Sequence, residues 1–433
     1  MYICIYQNDL AQYVYKYYSF GLKNLNKKKI VNDPVHGFIS IPNDLLFDLI
    51  EHPYMQRLRW IKQLGLTSLV YPGATHTRFQ HSLGCMHLMS AAVNTLRNKG
   101  HIISEEESEA VHVAILLHDI GHGPFSHILE STIVQGINHE KLSLLFMNQL
   151  NEEFDGRLSL AIQIFTNKYH KKFLHQLVSS QLDMDRLDYL KRDSFYTGVS
   201  EGVISSDRII KMLDVVDDNL VVEVKGIYSI EKFLIARRLM YWQVYLHKTA
   251  LVAEQMLIRV FKRARELNNK NISVKSLPSL DYFIKNSFTK DEIYSDKKFL
   301  DHFSHLDDND IMSSLKIWMS HSDMILRTLS SALINRNLFS IEISDKPFKI
   351  DKLSRIEELT SKELNINNSD KLKYFIFNDT ISNNAYSMMD DKINILYPDG
   401  TIKDISTASD MLNLSVLGKT VTKNYICYPK NIF

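Results

Sequence analysis

The segment Leu116-Leu117-His118-Asp119-Ile120-Gly121-His122-Gly123-Pro124-Phe125-Ser126-His127 sets three histidines and a carboxylate at the end of an apolar run. The adjacent nitrogen and oxygen donors of His118 and Asp119 offer a mixed pair to a divalent cation. Ala114 to Leu117 before them predict a buried helix end, where water competes poorly. A lone His-Asp pair is also what a solvated helix terminus looks like, so metal chemistry needs partners elsewhere in the chain. The sequence offers His81 in Arg78-Phe79-Gln80-His81-Ser82-Leu83-Gly84, and an aspartate from Asp183-Met184-Asp185-Arg186-Leu187-Asp188-Tyr189. Two nitrogens and two oxygens suit a hard or borderline ion that keeps positions open for water and a phosphate oxygen. Manganese, iron, magnesium, zinc and nickel all fit such a set.

These residues need elements to carry them. Ser104-x-x-Glu107 predicts a capping box opening the helix that delivers His118-Asp119, and the helix carrying His81 to Leu96 should stop at Gly100. Leu174 to Arg192 has leucines at mostly helical spacing and presents Asp185, Tyr189 and Asp193 at i, i+4 and i+8 on one face. Upstream, the turn formers of Asn32 to Gly37 and the alternation of Phe38 to Pro42 predict a short strand or hairpin before helices begin at Asn43. The β-branched run from Leu220 to Gly226 predicts a second hairpin, followed by one long helix from about Ser229 to Arg265. Beyond about Lys270 the composition shifts to Asp, Asn, Ser and Lys. Strand-like runs such as Lys373 to Phe377 alternate there with turns such as Pro398-Asp399-Gly400. The expected organisation is mainly α: an N-terminal extension over 1–28, a helical core over 29–270 with a short β-hairpin insertion, and a smaller α+β region over 271–433.

With 433 residues, 45% of them hydrophobic, the chain can bury a large core. Lys plus Arg at 51 against Asp plus Glu at 50 gives no overall field for DNA wrapping or an anionic membrane. Three widely spaced cysteines, Cys4, Cys85 and Cys427, argue against a disulfide framework and for a reducing, cytoplasmic compartment. No apolar run approaches the roughly 18 residues of a membrane helix, and the start lacks a secretory leader pattern.

Taken together, Asp33-Pro34-Val35-His36-Gly37, Gln56 to Gly65, Tyr71 to Phe79, the His118–His127 block and Asp185 to Tyr189 closely resemble the HD-domain deoxynucleoside triphosphate triphosphohydrolases, over roughly Lys29 to Arg265. The resemblance implies a helical HD-domain core, a homo-oligomer that is often tetrameric, and cleavage of deoxynucleoside triphosphates to deoxynucleoside and tripolyphosphate. It implies His81, His118, Asp119 and Asp185 as metal ligands, with Asp185 preferred to Asp183. The cation would polarise the α-phosphate and lower the pKa of a water. His127 is implied as general acid with Glu130 as its supporting carboxylate, and His122 and His139 as stabilisers of phosphate charge.

For the substrate, the resemblance assigns Tyr189 and Asp193 to the sugar 3′-hydroxyl, and Gln63, Leu64 and Tyr245 to the other sugar edge. It sets Arg78, Arg186, Arg237, His247 and Lys248 against the triphosphate. Arg186 stands where the family commonly has lysine, which keeps the charge and changes its geometry. Lys29, Asn32, Gln56 and Arg59, with Arg208 and Lys225, match a nucleotide activator site. Glu51 replaces an aspartate used for guanine, and Glu223 replaces an arginine, so any such site is expected to be altered in base preference or lost. Two rivals remain: another HD phosphohydrolase, acting on a nucleoside monophosphate or an alarmone, and a non-catalytic nucleotide- or nucleic-acid-binding module. Near-neutral charge and the lack of an aromatic-rich basic stretch disfavour nucleic acid.

Overall fold

Asn43 opens the first helix of the described residues by accepting the Leu46 N–H at 3.0 Å, as a short polar side chain does for an otherwise unpaired helix-start donor. A computed structural model describes residues 29–134, 137–383, 386, 392–410 and 420–432, apart from the side chains of residues 127, 131, 290, 291, 295 and 431; the expected extension over 1–28 lies outside the described residues. Strands β1 (Ile30–Asp33) and β2 (Gly37–Ser40) form an antiparallel hairpin. Helix α1 (Asp44–Glu51) buries Leu45, Leu46, Leu49 and Ile50.

The site-bearing helices follow. Helix α2 (Arg78–Asn98) begins where the Gln80 side chain accepts the Thr77 N–H at 2.9 Å. It ends before Gly100, whose φ of 91° favours glycine. Helix α3 (Glu105–Leu117) is opened by a complete capping box: Glu107 N–H donates to Ser104 Oγ at 3.1 Å, and Ser104 N–H to Glu107 Oε2 at 2.8 Å. Then come α4 (Ser126–Thr132), α5 (His139–Glu153) and α6 (Met184–Thr197). The block from Leu174 to Arg192, helical in its leucine spacing, is made of two helices. A short helix, Lys172–Val178, precedes α6, whose first turn is capped by Asp183 accepting the Arg186 N–H at 2.7 Å.

Two other expectations change in form. The hairpin pairs β3 (Leu213–Val216) with β4 (Asn219–Glu223), and its turn is Asp217-Asp218, both left-handed at φ 49° and 58°, rather than Gly226. Aspartate tolerates that region, and two such residues match the twist of a two-residue hairpin. The single helix foreseen from Ser229 to Arg265 is broken. Helix α7 (Ile227–Met240) runs into a π turn at Tyr241–Tyr245, and α8 (Lys248–Asn269) restarts with His247 Nδ1 accepting the Thr249 N–H at 3.1 Å. Such π turns frequently mark functional sites.

Beyond α8, β5 (Ser340–Ser344), β6 (Phe377–Asn383) and β9 (Val421–Tyr428) form an antiparallel sheet in the order β5-β9-β6. The strand expected at Lys373 to Phe377 thus begins only at Phe377. Strands β7 (Asn394–Leu396) and β8 (Ile402–Asp404) join the core hairpin, β7 lying parallel to β4. One continuous apolar core runs through both parts of the chain, from Ile39 through Leu116 and Phe261 to Tyr425. No described helix is long and apolar enough to cross a membrane.

Candidate active site

Three helices bring the metal-type ligands together. His81 lies one turn into α2, His118 directly follows α3, and Asp185 is the second residue of α6. Asp185 Oδ1 stands 3.1 Å from His81 Nε2 and 3.7 Å from His118 Nε2; the Asp119 carboxylate lies 3.8 Å from the first nitrogen and 3.4 Å from the second. His118 Nδ1–H donates to the Ile115 carbonyl at 2.6 Å, which leaves Nε2 as the lone-pair nitrogen. That Nε2 is buried without a hydrogen-bond partner. An orphaned buried nitrogen facing a second imidazole and two carboxylates is a donor set that a divalent cation would satisfy. Burial favours the neutral acid at Asp185, but the adjacent His118 and His81 imidazoles hold its carboxyl far below the usual range. Asp119 is likewise held well down against burial by His122, His118 and Arg78. Both carboxylates are therefore anionic, as ligands must be. Cys85 Sγ sits 3.5 Å from both ring nitrogens of His81, and burial pushes its thiol up, so it packs there as a neutral side chain.

Behind His81 is a network that the motif did not reveal. His81 Nδ1 donates to Asp188 Oδ2 at 2.8 Å, and His36 Nε2 donates to Asp188 Oδ1 at 2.6 Å. Arg192 clasps Asp188 at 2.8 and 3.0 Å and reaches Asp33 at 2.7 Å. Burial would raise the Asp188 carboxyl, yet Arg192 with the His36 and His81 bonds keeps it well below the usual range. A carboxylate on the far ring nitrogen fixes the tautomer that presents Nε2 to a metal. Gly84 permits the approach: a Cβ there would lie 2.0 Å from Asp188 Oδ1. The available signals were Asp188 and Arg192 at i, i+4, and the Asp33-Pro34-Val35-His36 motif upstream.

The opposite wall is irregular backbone. His122 Nε2 lies 3.2 Å from Asp119 Oδ1, and its ring stacks on His139 at 4.0 Å and 16°. Burial, then the neighbouring Arg78 cation, push the His122 imidazole down to about 3, so it is neutral near pH 7. Glu130 Oε1 accepts from Ser126 Oγ at 2.8 Å and from His139 Nδ1 at 3.2 Å. Against burial, that Glu130 bond and the Asp119 charge raise the His139 imidazole. The expected general acid, His127, has its side chain outside the described residues. The wall hangs on Arg57, which donates to the carbonyls of Ile120 at 2.7 Å and His122 at 2.9 Å. It hangs also on Ser143, which donates to His118 O at 2.6 Å and accepts the Gly121 N–H at 2.9 Å.

Both walls open onto a cavity of about 560 Å³ lined by His118, Asp119, His139, Asp185 and Arg186 among others. Farther along α6, Asp193 is buried and bridged: His76 Nε2 donates to Oδ1 at 2.7 Å and Tyr245 Oη to Oδ2 at 2.8 Å. Tyr189 packs edge-on against Tyr245 at 6.1 Å. Gln63 bonds through its backbone to His76 O at 3.0 Å, and its Oε1 is buried without a partner; Leu64 enters the 3₁₀ turn Gly65–Leu69. Of the cations expected on the triphosphate, Arg78 pairs with Asp119 at 2.5 Å, and Arg186 with the capping Asp183. Arg237 keeps Nε and one terminal nitrogen buried without partners. His247 caps α8 and Lys248 begins it.

The residues matched to an activator site fall in two groups. Arg59 donates to Gln56 Oε1 at 2.7 Å and lies over Phe79 at 3.8 Å, and Lys29 lies over Phe47 at 4.4 Å. Asn32 is on β1, and Glu51 ends α1. In the other group Arg208 donates to Lys225 O at 3.0 Å, while Glu223 pairs with Lys99.

A helical core that gathers imidazoles, ionised carboxylates and bordering cations around one cavity could hold a divalent metal of the kind that phosphate-ester hydrolysis uses. The HD domain family matches residues 78–193 and the HD associated region matches residues 204–287. The chain is 32% identical over 425 residues to the uncharacterized protein YwfO of Bacillus subtilis, covering 94% of each. It is 30% identical over 288 residues to the deoxynucleoside triphosphate triphosphohydrolase SAMHD1 of Homo sapiens, covering 56% of this chain and 45% of that one. A crystal structure of a phosphohydrolase from Bacteroides thetaiotaomicron matches with a TM-score of 0.89 at 57% identity, covering 93% of this chain and 99% of that one. The chain belongs to the HD-domain phosphohydrolases.

Proposed function

We propose that the protein hydrolyses deoxynucleoside triphosphates to deoxynucleoside and tripolyphosphate. The observation that carries this reading is the stripe Asp185, Tyr189, Asp193 on one face of α6. It joins the metal-type cluster to a buried carboxylate bridged by His76 and Tyr245. Asp193 would accept a sugar hydroxyl, with Tyr189 and Tyr245 crowding the ring. The named activity of the SAMHD1 relatives, which this chain matches over about half their length, supports the same substrate class.

His81, His118, Asp119 and Asp185 would hold a divalent cation. When bound it supplies Lewis acidity toward the α-phosphate and acidifies a water. The chain does the rest. Neutral His122 and the raised His139 face the charge that develops on the phosphate, Glu130 fixes the His139 ring, and Arg237 offers unpaired N–H groups. His127 would protonate the leaving oxygen.

The test is ion-exchange analysis of products after incubation with manganese or magnesium and each deoxynucleoside triphosphate, singly and mixed. The wild type should give deoxynucleoside plus tripolyphosphate, and Asp119→Ala should give neither. Orthophosphate or pyrophosphate as the only inorganic product would assign a different HD phosphohydrolase reaction.

A further inference from the structure

A second concavity, of about 720 Å³, lies between α8 and the segment leading into β6. Arg259, Lys262, Arg263 and Lys270 line one wall, and Lys371 and Lys373 come from the other. Its carboxylates, Glu266 and Asp370, are already committed. Glu266 holds Arg263 at 2.7 Å, Lys270 at 2.5 Å and the Tyr374 hydroxyl at 2.7 Å, while Asp370 holds Lys373 at 2.8 Å. Arg263 also grips Asp323 at 3.0 and 2.6 Å. Arg259, Lys262 and Lys371 are left with no carboxylate in ion-pair range among the described residues. In a chain of net charge +1 this surplus is local.

We propose that this groove is a binding site for a polyphosphate chain, free or as the tail of a nucleotide. Arg259 is the strongest sign. Its guanidinium is partly buried, lies 3.7 Å over the Phe377 ring, donates to Gln255 O and Oε1 at 3.0 and 2.6 Å, and keeps Nε buried without a hydrogen-bond partner. Burial pushes this guanidinium below its ordinary value. A partly desolvated cation with no carboxylate in ion-pair range, opposed only by the more distant Asp379 charge, is costly, and an anionic ligand would compensate it.

The aromatic faces argue against a base-stacking platform. Phe377 is covered by Arg259, and Tyr374 carries Arg263 at 5.6 Å and is tied through its hydroxyl to Glu266. The volume falls within the roughly 300–1,000 Å³ of small-ligand sites, and the cations converge on one hollow instead of tracking along the surface as a nucleic-acid groove does. No residue of this hollow lines the cavity of the metal-type cluster.

Calorimetric titration of the full chain with tripolyphosphate, with a non-hydrolysable deoxynucleoside triphosphate analogue and with a 20-nucleotide single-stranded DNA tests the assignment, in wild type and in K262E/K371E. Both substituted lysines are exposed, and unchanged melting of the variant verifies its fold. We expect two classes of tripolyphosphate site in the wild type, one of which weakens about tenfold or more in the variant. Equal affinity for the nucleotide analogue at that class identifies the free chain as sufficient, and tighter analogue binding identifies a nucleotide tail. Tripolyphosphate binding that is unchanged in the variant overturns the proposal, as does DNA that binds this class more tightly than tripolyphosphate. Binding here does not depend on hydrolysis, so loss of either proposal leaves the other standing.

Discussion

The two walls of the candidate site are built on different principles. On one side, α2 and α6 are continuous helices locked by a buried ionic network through Asp188, Arg192, His36 and Asp33. On the other, the chain leaves a helix end at His118 and passes Gly121, Gly123 and Phe125, a non-glycine residue held left-handed at φ 49°, before α4 begins at Ser126. That wall is tethered by side chains reaching its carbonyls, Arg57 and Ser143. The metal-type ligand His81 is thus fixed by electrostatics that cannot relax without stranding charge. Of the residues that would meet developing phosphate charge, His122 sits in the irregular segment between α3 and α4, where hydrogen bonds to backbone hold it rather than a buried ionic network.

The contrast predicts unequal losses, and Asp188→Asn should show the largest. Breaking this buried pair, with only Asp33 left to Arg192, should cost about 3 kcal/mol in urea unfolding at pH 7, and divalent-metal affinity should fall about 10–100-fold. The pH course has a definite sign. The folded Asp188 carboxyl is depressed below its unfolded value, so its stabilisation is fully present above about pH 4. It is lost as pH falls through the depressed range, so wild type and variant should converge in acid. A constant gap down to low pH would break the ionic account of this wall.

Gly84→Ala attacks the same wall by volume. Its new Cβ meets Asp188 and Arg192, and overpacking should cost about 1–3 kcal/mol in thermal melting. On the other wall, Ser143→Ala removes one donor and one acceptor and should cost about 1–2 kcal/mol. There turnover should drop by more than metal affinity does, because the tether holds the His118 carbonyl and not its ring. If metal affinity falls as far as in Asp188→Asn, the two walls are one rigid unit and the distinction fails.

Local signals suffice where one turn of chain settles the matter: the Asn43 cap, the Ser104–Glu107 box and the stop before Gly100. They misled where tertiary demands override a periodic pattern. Tyr241 to Tyr245 carries no proline or glycine, yet it leaves the α-helix for a π turn from which the Tyr245 hydroxyl bonds Asp193. Lys373 to Phe377 looks like a strand, but Tyr374 is spent on Glu266 and the ladder starts at Phe377.

By itself the sequence determined the helical class, the helix caps and the set of imidazoles and carboxylates suited to a cation, because periodicity and side-chain chemistry are local. Only the tertiary structure decided the rest. Asp33 and Arg192 meet across 159 positions of chain, Arg78 turns to Asp119, and cations on α8 and beyond residue 370 share one hollow. Pairings between distant segments follow from packing and burial, which put charges close enough to need one another.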